Sequence, residues 1–333
     1  MKNGISAILV ICLASCSSTS SVGPEASPPA PLAAVPGDIC DQLQTGNGMG
    51  SAPPEIPVTG RLRVLAFGDF GTGSADQKRV ARGIARQTPY HFGLTLGDNF
   101  YRRGLNSPTH PRWQSRWEDL YSSLGIRVYA TLGNHDYLDT ASPAAEIARS
   151  SRSRTWCLPR PSYTFVAGPV QFFAVDTDPI EKGLASVPRE LDWLKNALAA
   201  STAPWKLVYG HHPVYTNGDH GGQRGFLPEL KDQLLPVLQD EKVDVYLAGH
   251  DHDLQALKPD GGVWFFVSGG GGQDTRPLRT AKCRQWAESM HGFTVLEADE
   301  ETLTMSFFNA DGEPVQGGRV ELRKGSPAPD CPR

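Results

Sequence analysis

Five short polar blocks, each preceded by an apolar run and each carrying a glycine, restrict what this chain can fold into more than its composition does. They are Gly68-Asp69-Phe70-Gly71, Gly97-Asp98-Asn99-Phe100-Tyr101, Gly133-Asn134-His135-Asp136, Gly210-His211-His212 and Gly249-His250-Asp251-His252. The apolar runs read as strands, so each block stands at a strand end. Oxygen and imidazole donors from separate strands then meet at one edge of a sheet, which is what a two-metal hydrolase needs. Carboxylate, amide and imidazole donors together suit hard to borderline cations such as Fe, Mn or Zn. Two ions held about 3.5–4 Å apart need a bridging carboxylate, and Asp98 is the natural candidate. The glycines let the backbone pass close to an ion without a Cβ clash.

The rest of the chain reads as one α/β domain. Residues 62–67, 91–96, 127–132, 170–175, 205–209 and 243–248 are strand-like. Ser74-Ala75-Asp76-Gln77 is a capping-box pattern, followed by Val80, Ile84 and Ala85 on one helical face. Trp113, Trp117, Leu120 and Leu124 have helical spacing, as do Leu191, Leu194 and Leu198 in 188–200. A further helix is expected at 227–238. Segments 263–267, 293–297 and 303–308 are expected to close the fold as antiparallel strands. Two packed mixed β-sheets flanked by α-helices follow from this order. With 32 Lys and Arg against 36 Asp and Glu, and a net charge of −4, nothing suggests a nucleic-acid partner.

The N-terminus reads differently. Lys2 precedes an apolar stretch, 5–13, too short to span a bilayer. It closes on Leu13-Ala14-Ser15-Cys16, which resembles a bacterial lipobox and implies cleavage before Cys16 and lipidation there; an ordinary secretory signal is the alternative. Ser17 after the cysteine resembles outer-membrane sorting. The expected organisation is a signal at 1–15, a lipidated flexible tether at 16–57, a catalytic domain at 58–326 and a tail at 327–333. The expected location is the bacterial cell envelope, lipid-anchored and facing the periplasm. Once Cys12 leaves and Cys16 is acylated, Cys40, Cys157, Cys283 and Cys331 remain, open to three pairings. Cys40–Cys331 with Cys157–Cys283 is the expected one, since the first would tie the domain's ends together. Cys40 also hints that the second half of the tether packs on the body.

The five blocks resemble those of the calcineurin-like metallophosphoesterases. Most of that superfamily has Asp-x-His in the first block, where this chain has Asp69-Phe70-Gly71, while Tyr101 closes the second block. That exchange resembles the purple acid phosphatases, and especially the small tartrate-resistant, mammalian-type enzymes, from about Val64 to Asn309. The Gly-His-Asp-His-x-Leu-Gln run at Gly249 to Gln255 is part of the likeness. The resemblance implies a four-layer sandwich and a binuclear acid phosphatase that cleaves small phosphomonoesters by attack of a metal-bound hydroxide. It assigns Asp69, Tyr101 and His252 to Fe(III), and Asn134, His211 and His250 to a divalent Fe, Zn or Mn, with Asp98 bridging. A trivalent ion leaves such a site net positive and attractive to phosphate; two divalent ions would leave it neutral. His135 and His220 are implied to contact substrate, His135 also protonating the leaving alkoxide. A Mn- or Zn-dependent phosphodiesterase or nucleotide hydrolase on the same fold is the alternative, and a binding lipoprotein without catalysis a third. A monomer is expected. His212 reads as a supporting or surface residue, His91, His110 and His291 as structural or solvated, and Asp136 and Asp251 as acids that orient histidines. Gly269 to Gly272 either line the site by close backbone approach or form a plain loop. Residues 177–188 are shorter than the mammalian regulatory loop and lack its cysteine, so that loop's regulation is not implied.

Overall fold

A computed structural model describes Met1 and residues 38–45 and 52–326, the side chains of 259 and 260 excepted. The signal, Cys16 and most of the tether lie outside the described residues, as does the tail at 327–333. Two mixed sheets carry the fold. In the seven-stranded sheet, Leu62–Phe67, Phe92–Leu96, Val128–Thr131 and Trp156–Cys157 run parallel. The strands Gly292–Ala298, Thr302–Asn309 and Pro314–Arg323 continue it as an antiparallel meander beside Leu62–Phe67. The eight-stranded sheet has a parallel centre of Val170–Ala174, Trp205–Tyr209, Val245–Ala248 and Val263–Ser268. Tyr163–Ala167 and Glu55–Ile56 extend one side, and Leu254–Asp260 and Arg284–Glu288 the other.

Strand alternation builds the layers. Phe172 joins the core shared by both sheets, whereas its neighbour Phe173 faces the other way. There it meets Leu194 and Leu198 of helix Val187–Ala199 and Leu230, Leu234 and Leu238 of helix Pro228–Asp240. Helix Ala75–Arg86 lies against the seven-stranded sheet through Val80 and Ile84. Its cap is half the expected box: Ser74 Oγ accepts from Gln77 N at 3.1 Å, while Gln77 Oε1 reaches Gly73 N.

Three expectations change. Segment 263–267 is no simple antiparallel closing strand, because Val263–Ser268 pairs parallel with Val245–Ala248 and antiparallel with Leu254–Asp260. Its residues are buried throughout, and an uninterrupted apolar run belongs inside a sheet. The stretch from Trp113 to Leu124 is not one α-helix but a π-turn, Gln114–Glu118, then single turns of α and 3-10 helix. Gln77 Nε2 takes the Arg116 carbonyl at 2.8 Å, drawing it out of the helical ladder. Trp113 and Trp117 stay buried regardless. The expected disulfides do not form: Cys40 joins Cys157, with Cα atoms 5.9 Å apart. Helix Cys40–Thr45 buries Cys40 and Leu43 in the core beside the edge strand Trp156–Cys157, which puts Cys157 within bridging reach. Cys283 is also disulfide-bonded, and Cys331 lies outside the described residues.

Candidate metal centre

The parallel strands of both sheets end at one edge, where open α/β sheets hold their ligands. Register aligns Phe67 with Thr95 and Thr95 with Ala130, so Asp69, Asp98 and Asn134 emerge side by side. Trp205–Tyr209 and Val245–Ala248 deliver His211, His250 and His252 from the other sheet. The approach is close. A Cβ on Gly133 would lie 2.2 Å from Asp98 N, and one on Gly249 would lie 2.6 Å from Asp69 Oδ2. Asp69, Asp98 and His250 adopt left-handed backbone, with φ of 58°, 50° and 70°. Each such residue costs about 1–3 kcal/mol, and contacts such as His250 N to Asp69 Oδ2, 2.9 Å, hold the conformation.

The side chains converge as two trios. Tyr101 Oη lies 3.0 Å from Asp69 Oδ1 and 3.3 Å from His252 Nε2. Asn134 Oδ1 lies 3.0 Å from His211 Nε2 and 3.1 Å from His250 Nδ1, and those nitrogens are themselves 3.1 Å apart. Asp98 stands between, with Oδ2 2.9 Å from Tyr101 Oη and Oδ1 3.4 Å from His211 Nε2. His211 Nδ1 donates to the Leu96 carbonyl and His252 Nδ1 to that of Asp274, each at 2.8 Å, so both turn an Nε2 lone pair inward. One phenol proton cannot serve two carboxylates and an imidazole at once, and lone pairs facing at such distances repel. The donor set therefore fits cations. The family model for calcineurin-like phosphoesterases matches residues 62–254. The chain belongs to that family.

Within it, this phosphoesterase is similar to purple and tartrate-resistant acid phosphatases. It is 32% identical to human tartrate-resistant acid phosphatase type 5 over 309 residues, covering 80% of this chain and 93% of the relative. It is 34% identical to purple acid phosphatase 7 of Arabidopsis thaliana over 248 residues, 67% of this chain and 74% of the relative. Among solved structures, purple acid phosphatase PPD1 from yellow lupin superposes with a TM-score of 0.63 at 18% identity, over 80% of this chain and 54% of that one. GAP50, the anchor in the inner membrane complex of Plasmodium, superposes at 0.67 and 22% identity, over 80% and 89%. These structural likenesses establish the fold.

Electrostatics at the phosphoesterase centre call for positive charge. Burial, and then Asp98, push the Asp69 carboxyl well above its usual range. Burial and both aspartates push the Tyr101 phenol up as well. Burial holds His250 well below an ordinary imidazole and His252 at about 4, so both are neutral donors at neutral pH. His212 groups with His211 and His250 by distance, but its hydrogen bonds argue against a ligand role. Thr177 Oγ1 accepts from the backbone N–H of His211 and of His212, so its own proton goes to His212 Nδ1 at 2.9 Å. Neutral His212 then carries its hydrogen on Nε2 and has no lone pair there to offer.

The remaining named residues surround the trios. His135 Nδ1 lies 2.7 Å from the Arg102 carbonyl, leaving Nε2 3.9 Å from Asp98 Oδ2. His220 packs on His250 with ring centroids 3.7 Å apart, its Nδ1 2.8 Å from Asp251 Oδ1. Asp251 thus orients a histidine; burial alone would raise its carboxyl, but His220 and Thr216 draw it below the ordinary value. None of the hydrogen bonds of Asp136 goes to a histidine. The carboxylate accepts from the backbone N–H of Asn99, Phe100 and Gly133, bracing the two loops that carry Asp98 and Asn134. Gly269 to Gly272 do approach closely: a Cβ on Gly269 would meet Asp69 Oδ2 at 2.8 Å, and Gly271 N bonds Gly68 O. His91, His110 and His291 bond nearby chain outside the trios. Sequence reasoning missed Thr177 and Arg276. Asp176-Thr177-Asp178 follows a strand just as the five blocks do, a pattern hidden by its lack of glycine.

Proposed function

We propose that this phosphoesterase is an acid phosphatase that hydrolyses small phosphomonoesters at an Fe(III)–M(II) centre, M being Fe, Zn or Mn. The observation that carries this is the Asp98 carboxylate turned between two donor trios. Asp69, Tyr101 and His252 would hold the trivalent ion, and Asn134, His211 and His250 the divalent one, with Asp98 shared. Such a pair supplies a strongly polarised water and neutralises charge on the phosphoryl group. Tyr101 favours a trivalent partner, because a buried phenol beside two carboxylates loses its proton only to a strong positive charge. His135, held through Nδ1, has Nε2 free to carry a proton to the leaving alkoxide. His220, held by Asp251, presents Nε2 to the phosphoryl group. The chain's own work is positioning.

The test is the visible spectrum of aerobically purified protein, with iron, manganese and zinc quantified on the same sample. A purple or pink band with about one iron per chain is expected, since a ferric–phenolate pair absorbs visible light. Tyr101→Phe should remove the band and leave the fold intact by circular dichroism. A colourless protein holding two divalent ions would sink the ferric assignment and favour the phosphodiesterase or nucleotide hydrolase.

The N-terminus motivates a further part of the proposal: a chain lipidated at Cys16 and held at a bacterial envelope, facing the periplasm. The lipobox-like run ending at Cys16 motivates it. Cys16→Ser should move the protein from the membrane pellet to the soluble fraction; an unchanged distribution would exclude lipid anchoring at this residue.

A further inference from the structure

An arginine outside both trios stands against His220. Arg276 Nη1 is 3.1 Å from His220 Nε2 and 3.4 Å from His220 Nδ1. Near-equal distances to both ring nitrogens put the guanidinium against the ring rather than on the lone-pair axis of Nε2. Since Nδ1 is taken by Asp251, His220 keeps Nε2 for a substrate. Arg276 also bears electrostatically on the buried His252 and Asp253. Its segment is pinned. The Arg276 carbonyl accepts from Ser289 Oγ at 2.6 Å, the Asp274 carbonyl faces His252 Nδ1, and Arg279 pairs with Asp219 on the His220 loop. Arg279 has its aspartate and Arg284 bonds Asn217 Oδ1, but among the described residues no carboxylate pairs with Arg276. A half-buried, tethered cation thus stands against His220, with no carboxylate hydrogen-bonded to it among the described residues.

We infer that Arg276 and His220 Nε2 form one subsite for a non-bridging phosphoryl oxygen, and that Arg276 makes the centre prefer phosphomonoester dianions to diester monoanions. A monoester offers one more non-bridging oxygen and one more negative charge than a diester. A guanidinium rewards both, because charge-assisted hydrogen bonds strengthen with the acceptor's charge and its planar fork matches phosphate. Arg276 is therefore a specificity-determining residue, and the inference rests on the phosphatase reading above.

The experiment uses metal-loaded full-length protein, p-nitrophenyl phosphate, bis(p-nitrophenyl) phosphate and calorimetric titration with inorganic phosphate. In Arg276→Gln, the KM for the monoester and the Kd for phosphate should rise about tenfold or more, with kcat falling less. The diester's kcat/KM should fall several-fold less than the monoester's. Arg276→Lys, which restores charge without the fork, should recover part of the phosphate affinity. Metal content and melting temperature stay as in the parent. Equal losses on both esters, or an unchanged phosphate Kd at full metal content, would overturn the inference. A parent protein that binds metal and phosphate yet cleaves neither ester defeats the phosphatase reading instead, and the phosphate Kd still decides the role of Arg276.

Discussion

At the site edge, His211, His252 and His135 each have Nδ1 against a backbone carbonyl, from Leu96, Asp274 and Arg102 respectively. The fold has thus chosen the tautomer before any ligand arrives, and Nε2 is the nitrogen each ring turns toward the centre. The imidazoles were legible in the sequence; the carbonyls were not, since Leu96 lies 115 residues from His211. Beyond the trios, Asp176 shows burial outweighing a hydrogen bond. Tyr137 Oη donates to it, yet burial still pushes its carboxyl up to about 7 from the ordinary 3.8. The folded chain therefore keeps a proton there that the unfolded chain releases, and this stabilisation, complete below about pH 4, is lost as pH rises through 7. Asp176→Asn keeps an acceptor and removes the titration. It should unfold like the parent near pH 4 and exceed it by about 1–4 kcal/mol near pH 8. A gap that does not change with pH would refute this.

The recurring element is a parallel strand that runs into a glycine and then a donor. Its position could be read locally, because an apolar run of strand length followed by Gly-Asp, Gly-Asn or Gly-His is a pattern among neighbours. The glycine's purpose is not local. Gly133 is needed because a Cβ there would lie 2.2 Å from Asp98 N and 2.3 Å from Asp98 Oδ1, on the adjacent strand's loop. Gly133→Ala should force that loop away, lower metal occupancy and cost about 1–3 kcal/mol of stability, read by metal analysis and urea unfolding. Full occupancy in the variant would show that the loop yields cheaply. Elements whose form depends on distant partners were misread. The π-turn over Gln114–Glu118 follows from Gln77, on another helix, taking the Arg116 carbonyl. The turn's Arg116 side chain then bonds the carbonyls of Gly71 and Tyr101, bracing two of the five blocks.

For the molecule as a whole, the two sheets matter because neither holds a full donor set. The seven-stranded sheet ends on Asp69, Asp98, Tyr101 and Asn134, and the eight-stranded sheet supplies the histidines. Packing them face to face over a shared aromatic core brings the two sets within hydrogen-bonding distance. Segment 38–45, expected as part of a tether, joins that core through Cys40 and Leu43 and is bonded to Cys157 across 117 residues. The sequence by itself determined the two-sheet α/β class and the strand ends from which the proposed donors emerge, because these are properties of short runs of neighbours. Only the tertiary structure decided which cysteine meets Cys40, which carbonyl holds each imidazole, why His212 cannot ligate through Nε2, and that Arg276 lies against His220. Those contacts join residues far apart along the chain, and which of them meet depends on how the sheets and loops pack.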